Sequence, residues 1–175
     1  FADRIQPGGH LVVCFDDEHA ADCGKRAIER GVNVLGYGSA EAAARHPEIP
    51  AGAVITGEEP DGSYVNTTVE LRLPDQDPQK VHYRLTVPGR HMVLNSAAAM
   101  LAGALVGADP AKLADGLSDF TGVRRRFEFT GQVESGPFEG VRVYDDYAHH
   151  PTEVAAVLTA ARDKVVSEGN GARVV

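Results

Sequence analysis

The chain has 175 residues, 43% hydrophobic and 24% charged, the balance of an ordinary soluble globular protein with room for one full domain or parts of two. Its 25 acidic against 17 basic residues leave a formal net charge of −8, which argues against a general nucleic-acid binder or a binder of anionic membranes, because both need a positive field. No apolar run approaches the ~20 residues that cross a bilayer, no signal-peptide pattern is present, and Cys14 and Cys23 form no Cys-x-x-Cys pair, so a reducing, cytoplasmic setting is expected.

Residues 10–15 form an apolar run ending in Asp16 and Asp17, which reads as a buried strand leading into helix-capping acids. The spacing predicts a helix over 17–30, closed by Gly31, and a second strand over 32–37. Strand, helix and strand with short joins imply a parallel βαβ unit. Residues 39–46 read as a short helix or a loop. Strand-like runs follow at 53–56, 63–73 and 81–87, the last two separated by the polar turn 74–78, so antiparallel hairpins are expected.

Pro88-Gly89-Arg90 breaks the third run. A helix is predicted over 91–106, with Leu94, Ala98, Leu101 and Leu105 on one side. Asp109-Pro110 is a helix start, with Asp at the cap and Pro at the first position, and that helix ends near Phe120. A domain boundary is placed at 121–123. Beyond it, 127–133 and 141–145 read as strands, and a helix from Pro151 carries the stripe Val154, Val157, Leu158, Ala161 and Val165. Gly169-Asn170-Gly171 ends that helix, and 172–175 reads as the opening of a buried strand. A chain that opens on Phe1 and closes within a strand is expected to come from a longer protein. A sheet without its first strands would expose apolar edges, so a tendency to self-associate is also expected.

Three stretches could carry chemistry. Asp145-Asp146-Tyr147-Ala148-His149-His150-Pro151 lies between a strand and a helix, where open α/β sheets gather ligands. Its acids can accept ribose hydroxyls or sit near a magnesium ion, and its histidines can contact a polar or anionic substrate; a capped helix start with surface histidines explains the same residues. Arg124, Arg125 and Arg126 beside the boundary can grip phosphate oxygens, or form a solvated basic edge paired with Glu128. His91 and Asn95 share a helix face, and an amide suits an adenine edge; an ordinary helix start with a satisfied amide is the alternative. Asp75 and Asp77 read as turn residues and Cys14 as core. No metal-ligand set is read from the spacing.

In order, Gly-Arg-His-x-x-x-Asn, Arg-Arg-Phe-Glu and Asp-Asp-Tyr-Ala-His-His-Pro-Thr-Glu resemble the Mur ligase family, most closely from residue 88 to 165. The resemblance implies an α/β fold: residues 1–122 as the later part of a central ATPase domain, a mixed sheet with flanking helices, and 123–175 as the start of a Rossmann-like C-terminal domain. It implies ATP and Mg2+ as cofactors, UDP-N-acetylmuramate and L-alanine as substrates, and ligation through an acyl phosphate. It also implies that Asn95 contacts adenine, that His91 lines that pocket, that Arg126 reaches ATP phosphate and that Asp146 binds the ribose. His149 and His150 would lie near the incoming amino acid and the muramoyl carboxylate, making Arg126, His149 and His150 the catalytic group. Position 92 is Met where many relatives carry a second Asn, and no Gly-x-x-Gly-Lys-Thr phosphate loop or following magnesium acids occur in the 175 residues, so the chain alone is expected to be inactive. Two alternatives stay open: a sister ligase that reattaches a recycled tripeptide, and a non-catalytic binding module.

Overall fold

The computed structural model of the chain describes residues 2–61, 64–87, 89–169 and 171–175. Strand β1 (His10–Cys14), helix α1 (Glu18–Glu29) and strand β2 (Asn33–Ser39) form the expected parallel βαβ unit, in register from His10 opposite Asn33 to Cys14 opposite Tyr37. Asp17 caps α1 by accepting the Ala20 amide at 2.7 Å. Residues Ala40–Arg45 form a short helix, α2, capped by the Ser39 hydroxyl.

Strand β3 (Ala51–Asp61) pairs parallel with β2; β4 (Tyr64–Leu71) and β5 (Gln79–Leu85) then continue antiparallel, giving the order β1-β2-β3-β4-β5. Helix α3 (Arg90–Leu105) lies across one face of this mixed sheet, and α4 (Pro110–Asp119) packs beside it on β5. One core lies between the sheet and α3, where Val69, Leu71, Val93, Met100 and Leu101 are fully buried. A second lies between the sheet and α1 and α2, around Phe15, Ala21 and Ile49. Strand β2 is buried on both faces, as a central strand must be when helices cover each side.

The remaining residues form the antiparallel pair β6 (Glu128–Gln132) and β7 (Arg142–Asp145), followed by α5 (Pro151–Glu168). Asp109 caps α4 by accepting the Ala111 amide, and Gly169 ends α5 in the left-handed region with φ of 63°, both as expected.

Several expectations need correction. The run predicted at 53–56 is an eleven-residue strand, because its polar end, Gly57-Glu58-Glu59-Pro60-Asp61, continues the ladder with β4 past a bulge. Of the run predicted over 63–73, Ser63 lies outside the described residues, as do Pro88, Asn170 and Phe1. Leu101 is buried on α3 as expected, but the rest of its buried side, Val93, Ala97, Met100 and Ala104, lies one position before the expected Leu94, Ala98 and Leu105 or beside Leu101. A helix apolar on nearly every side gives little periodicity to read. The α5 stripe is not a buried face: Val154 and Leu158 are exposed and Ala160 is the residue buried. Residues 171–175 adopt no strand, and Val174 and Val175 are exposed; a short apolar run becomes a strand only when a ladder holds it. Finally, Asp16 does not cap α1. It accepts the Ser39 amide and hydroxyl, both at 2.8 Å, across the sheet end.

Candidate functional site

Helix α3 starts without a side-chain cap, at Gly89 with φ of 108°. The space there is tight as well, since a Cβ on Gly89 would lie 2.7 Å from His91 Cε1 and 3.1 Å from Ala160 Cβ. Only glycine meets both demands at little cost. The result is that the first turn of α3, carrying His91 and Met92, comes close to α5, with Asn95 in the next turn.

The linking segment between α4 and β6 is wound unusually tightly. Arg125 and Phe127 both have positive φ, 60° and 51°, which costs on the order of 1 kcal/mol or more for each such residue. The surrounding bonds hold it there. The Arg125 amide donates to Glu128 Oε2 at 2.8 Å, and the Arg125 carbonyl accepts the Tyr147 amide at 2.8 Å. Asp146 receives the Phe127 amide on one oxygen at 2.8 Å and the Ala148 amide on the other at 2.7 Å. A carboxylate has about four acceptor positions, so Asp146 retains capacity after binding both amides.

These elements enclose a cavity of about 640 Å³ between α3, α4, the linking segment and the start of α5. Leu85, Val87, Met92 and Phe120 give it apolar walls; His91, Asn95, Arg126, Asp146 and Glu153 supply its polar groups. That is the size and character of a small-ligand site: largely apolar, with a few convergent polar groups. Burial pushes the His91 imidazole below its ordinary pKa, assisted by the Arg126 charge and opposed by Asp146. Burial therefore favours the neutral form of His91. Glu153 is held below the usual carboxylate range, first by the His149 backbone amide, with the His149 and Arg126 charges contributing.

The four residues expected to bind the cofactor, His91, Asn95, Arg126 and Asp146, thus line one cavity although they span 56 positions of sequence from 91 to 146. The two histidines expected to be catalytic do not line it. His150 caps α5, its Nδ1 accepting the Thr152 amide at 3.3 Å, and the exposed His149 ring sits 3.0 Å from the Tyr147 carbonyl and packs against the Tyr147 ring. Of the three arginines, Arg126 alone lines the cavity; Arg125 lies 4.5 Å over the Tyr147 ring and 3.5 Å from Asp145. Phe127, Thr152 and Glu153 also line the cavity; the sequence reading quoted them within its motifs but gave them no role in the site. Glu153 had a signal: it stands three residues after the cap His150, the place from which a Glu reaches back over a helix start.

ATP fits this donor set in part. The apolar walls and Asn95 suit a base, Asp146 suits sugar hydroxyls and Arg126 suits phosphate. Among the described residues no three His, Cys, Asp or Glu side chains group to hold a metal ion.

A mixed sheet under α3 is joined through a strained linking segment to a second, smaller unit. Residues 125–174 match the family described as Mur ligase, glutamate ligase domain. The chain is 43% identical over 172 residues to the UDP-N-acetylmuramate–L-alanine ligase of Mycobacterium avium, covering 98% of this chain and 34% of that protein. It is 48% identical over 178 residues to the protein of the same name from Nocardia farcinica, covering 99% of this chain and 34% of that one. The chain thus spans about a third of the length of the curated relatives it matches. Among solved structures, the UDP-N-acetylmuramoylalanyl-D-glutamyl-2,6-diaminopimelate–D-alanyl-D-alanyl ligase of Acinetobacter baumannii superposes with a TM-score of 0.66 at 21% identity, over 95% of this chain and 31% of that one. At that identity the likeness speaks for the fold alone. Among the described residues no helix is long and apolar enough to cross a membrane.

Proposed function

We propose that the chain forms the ATP-site segment of a cytoplasmic ligase, about three times as long, that joins L-alanine to UDP-N-acetylmuramate in peptidoglycan-precursor synthesis. The observation that carries this reading is the convergence of His91, Asn95, Arg126 and Asp146 on one cavity. The names of the relatives support the choice of substrates. Residues 1–122 act as the later part of the central domain, and 123–175 open the C-terminal domain.

ATP supplies the phosphoryl group that activates the muramoyl carboxylate. Asn95 orients the base against Met92, and Asp146 takes the ribose hydroxyls while its backbone bonds keep it aimed. Arg126 offsets phosphate charge where the two units meet, the electrostatic demand that dominates phosphoryl transfer. The neutral His91 packs beside the base without adding a competing charge. His149 and His150, beyond the cavity at the α5 start, face the amino-acid side.

Phosphate release from the full-length protein tests the reading, with ATP, UDP-N-acetylmuramate and either L-alanine or the recycled tripeptide. Release that requires L-alanine is expected. Release only with the tripeptide makes it the recycling ligase, and release with neither moves the chain to a binding role.

A further inference from the structure

Arg90 does not line the cavity, yet its guanidinium joins three separate elements. One nitrogen bonds Glu58 on β3 and another lies 3.4 Å from Asp16 beyond β1. Asp16 in turn holds the amide and hydroxyl of Ser39, where β2 turns into α2. The approach is close enough to dictate glycine at position 38, where a Cβ would stand 2.2 Å from Asp16 Oδ2 and φ is 146°. Asp16 and Glu58 are partly shielded, at 20% and 27% side-chain exposure, while the Arg90 side chain is half exposed at 51%.

In the first turn of α3, Val93 is fully buried in the core beneath the helix. Gly89 brings no side-chain cap, and the bonds local to that turn are the Met92 and Val93 amides to the Gly89 carbonyl at 2.9 and 3.4 Å. Arg90 adds to that burial a polar, long-range anchor for the turn that carries His91 and Met92, with Asn95 about one turn further on. Its two partners lie 32 and 74 residues away in sequence.

We infer that Arg90, clamped between Asp16 and Glu58, is a positioning residue for nucleotide binding: it holds the start of α3 at the height where Met92 and Asn95 meet the base. The inference rests on the proposed ATP site. It makes no use of phosphate contact by Arg90, which is already occupied by two carboxylates. A helix start that is free to shift by about 1 Å misplaces its ligand groups enough to weaken binding strongly.

The test is equilibrium dialysis of ATP against the full-length protein, together with initial rates at varied ATP and at varied L-alanine. Arg90→Gln is expected to weaken ATP binding and raise the KM for ATP about tenfold, leaving the KM for L-alanine within about twofold. Arg90→Lys is expected to recover part of the loss. Glu58→Gln should produce part of the same defect, and Arg90→Gln with Glu58→Gln should be no worse than Arg90→Gln alone, because one contact is being removed twice. A helix anchor with only a structural role would lower the thermal midpoint and raise both KM values together, and that result overturns the proposal. Unchanged ATP affinity in Arg90→Gln overturns it too. Wild-type protein that binds ATP but shows no alanine-dependent release fails the ligase reading and leaves the dialysis result to decide on Arg90. Wild-type protein that binds no ATP overturns both.

Discussion

The sheet with α1–α4 buries Phe15, Val69, Leu71, Met100 and Leu101 completely, whereas from residue 125 onward Ala160 is the one buried residue among those described. The first region is held by apolar area removed from water. The second is held by charged and polar bonds: Asp146 to two backbone amides, Arg142 to Glu168, and Arg125 to Asp145 and Tyr147. The difference matters for the site, which takes His91 and Asn95 from the first region and Arg126 and Asp146 from the second. Asp146 thus has two tasks, holding the linking segment and facing the cavity, so a change there disturbs structure and binding together.

The largest expected effect separates the two regions directly. Leu101→Ala should lower stability by about 2–5 kcal/mol in urea denaturation, since it opens a cavity in a packed core, whereas Leu158→Ala on exposed α5 should stay within about 0.5 kcal/mol. Equal losses would erase the contrast. Asp146→Ala is next. It strands the Phe127 and Ala148 amides, at a cost of about 1–3 kcal/mol confined to the second region. Amide exchange should quicken at 127 and 148 and stay slow at Val69 and Leu71; quickening throughout would mean that the regions unfold as one unit. Asp17→Ala removes the α1 cap and should cost about 1 kcal/mol in the same denaturation experiment.

The smallest effect is one of pH. Arg142 first, and then Lys164, hold the Glu168 carboxyl down to about 2 from its usual 4.5. Because the folded value is depressed, the tether from β7 to the end of α5 contributes fully above about pH 4.5 and is lost as pH falls toward 2. Exchange at the end of α5 should therefore rise on acidification through that window, and Glu168→Gln should abolish the dependence. A carboxyl resonance titrating at the usual value would contradict this tether.

The parts of the fold legible in the sequence were those that local chemistry decides. Asp17 and Asp109-Pro110 mark helix starts through bonds to amides two or three residues away, and β1-α1-β2 shows in its apolar runs. What could not be read depends on distant partners. Asp16 looks like its neighbour Asp17, yet its partners Ser39 and Arg90 lie 23 and 74 residues on. The end of β3 is polar and becomes a strand only through β4. Of the site, the residues themselves offered His91 and Asn95 as a pair on one helix face, an arginine cluster suited to phosphate and an acid pair suited to ribose; singling out Arg126 and Asp146 within those clusters came from resemblance to a family. Their meeting in one cavity depends on the positive φ of Arg125 and Phe127, which no residue type at those positions announces.

The most direct test of the account is a crystal structure of the full-length protein with a non-hydrolysable ATP analogue. The account predicts the base between Met92 and Asn95, the ribose hydroxyls within hydrogen-bond distance of Asp146, and Arg126 turned toward the phosphates. A nucleotide bound elsewhere, with the cavity between α3 and α5 left to solvent, would contradict it.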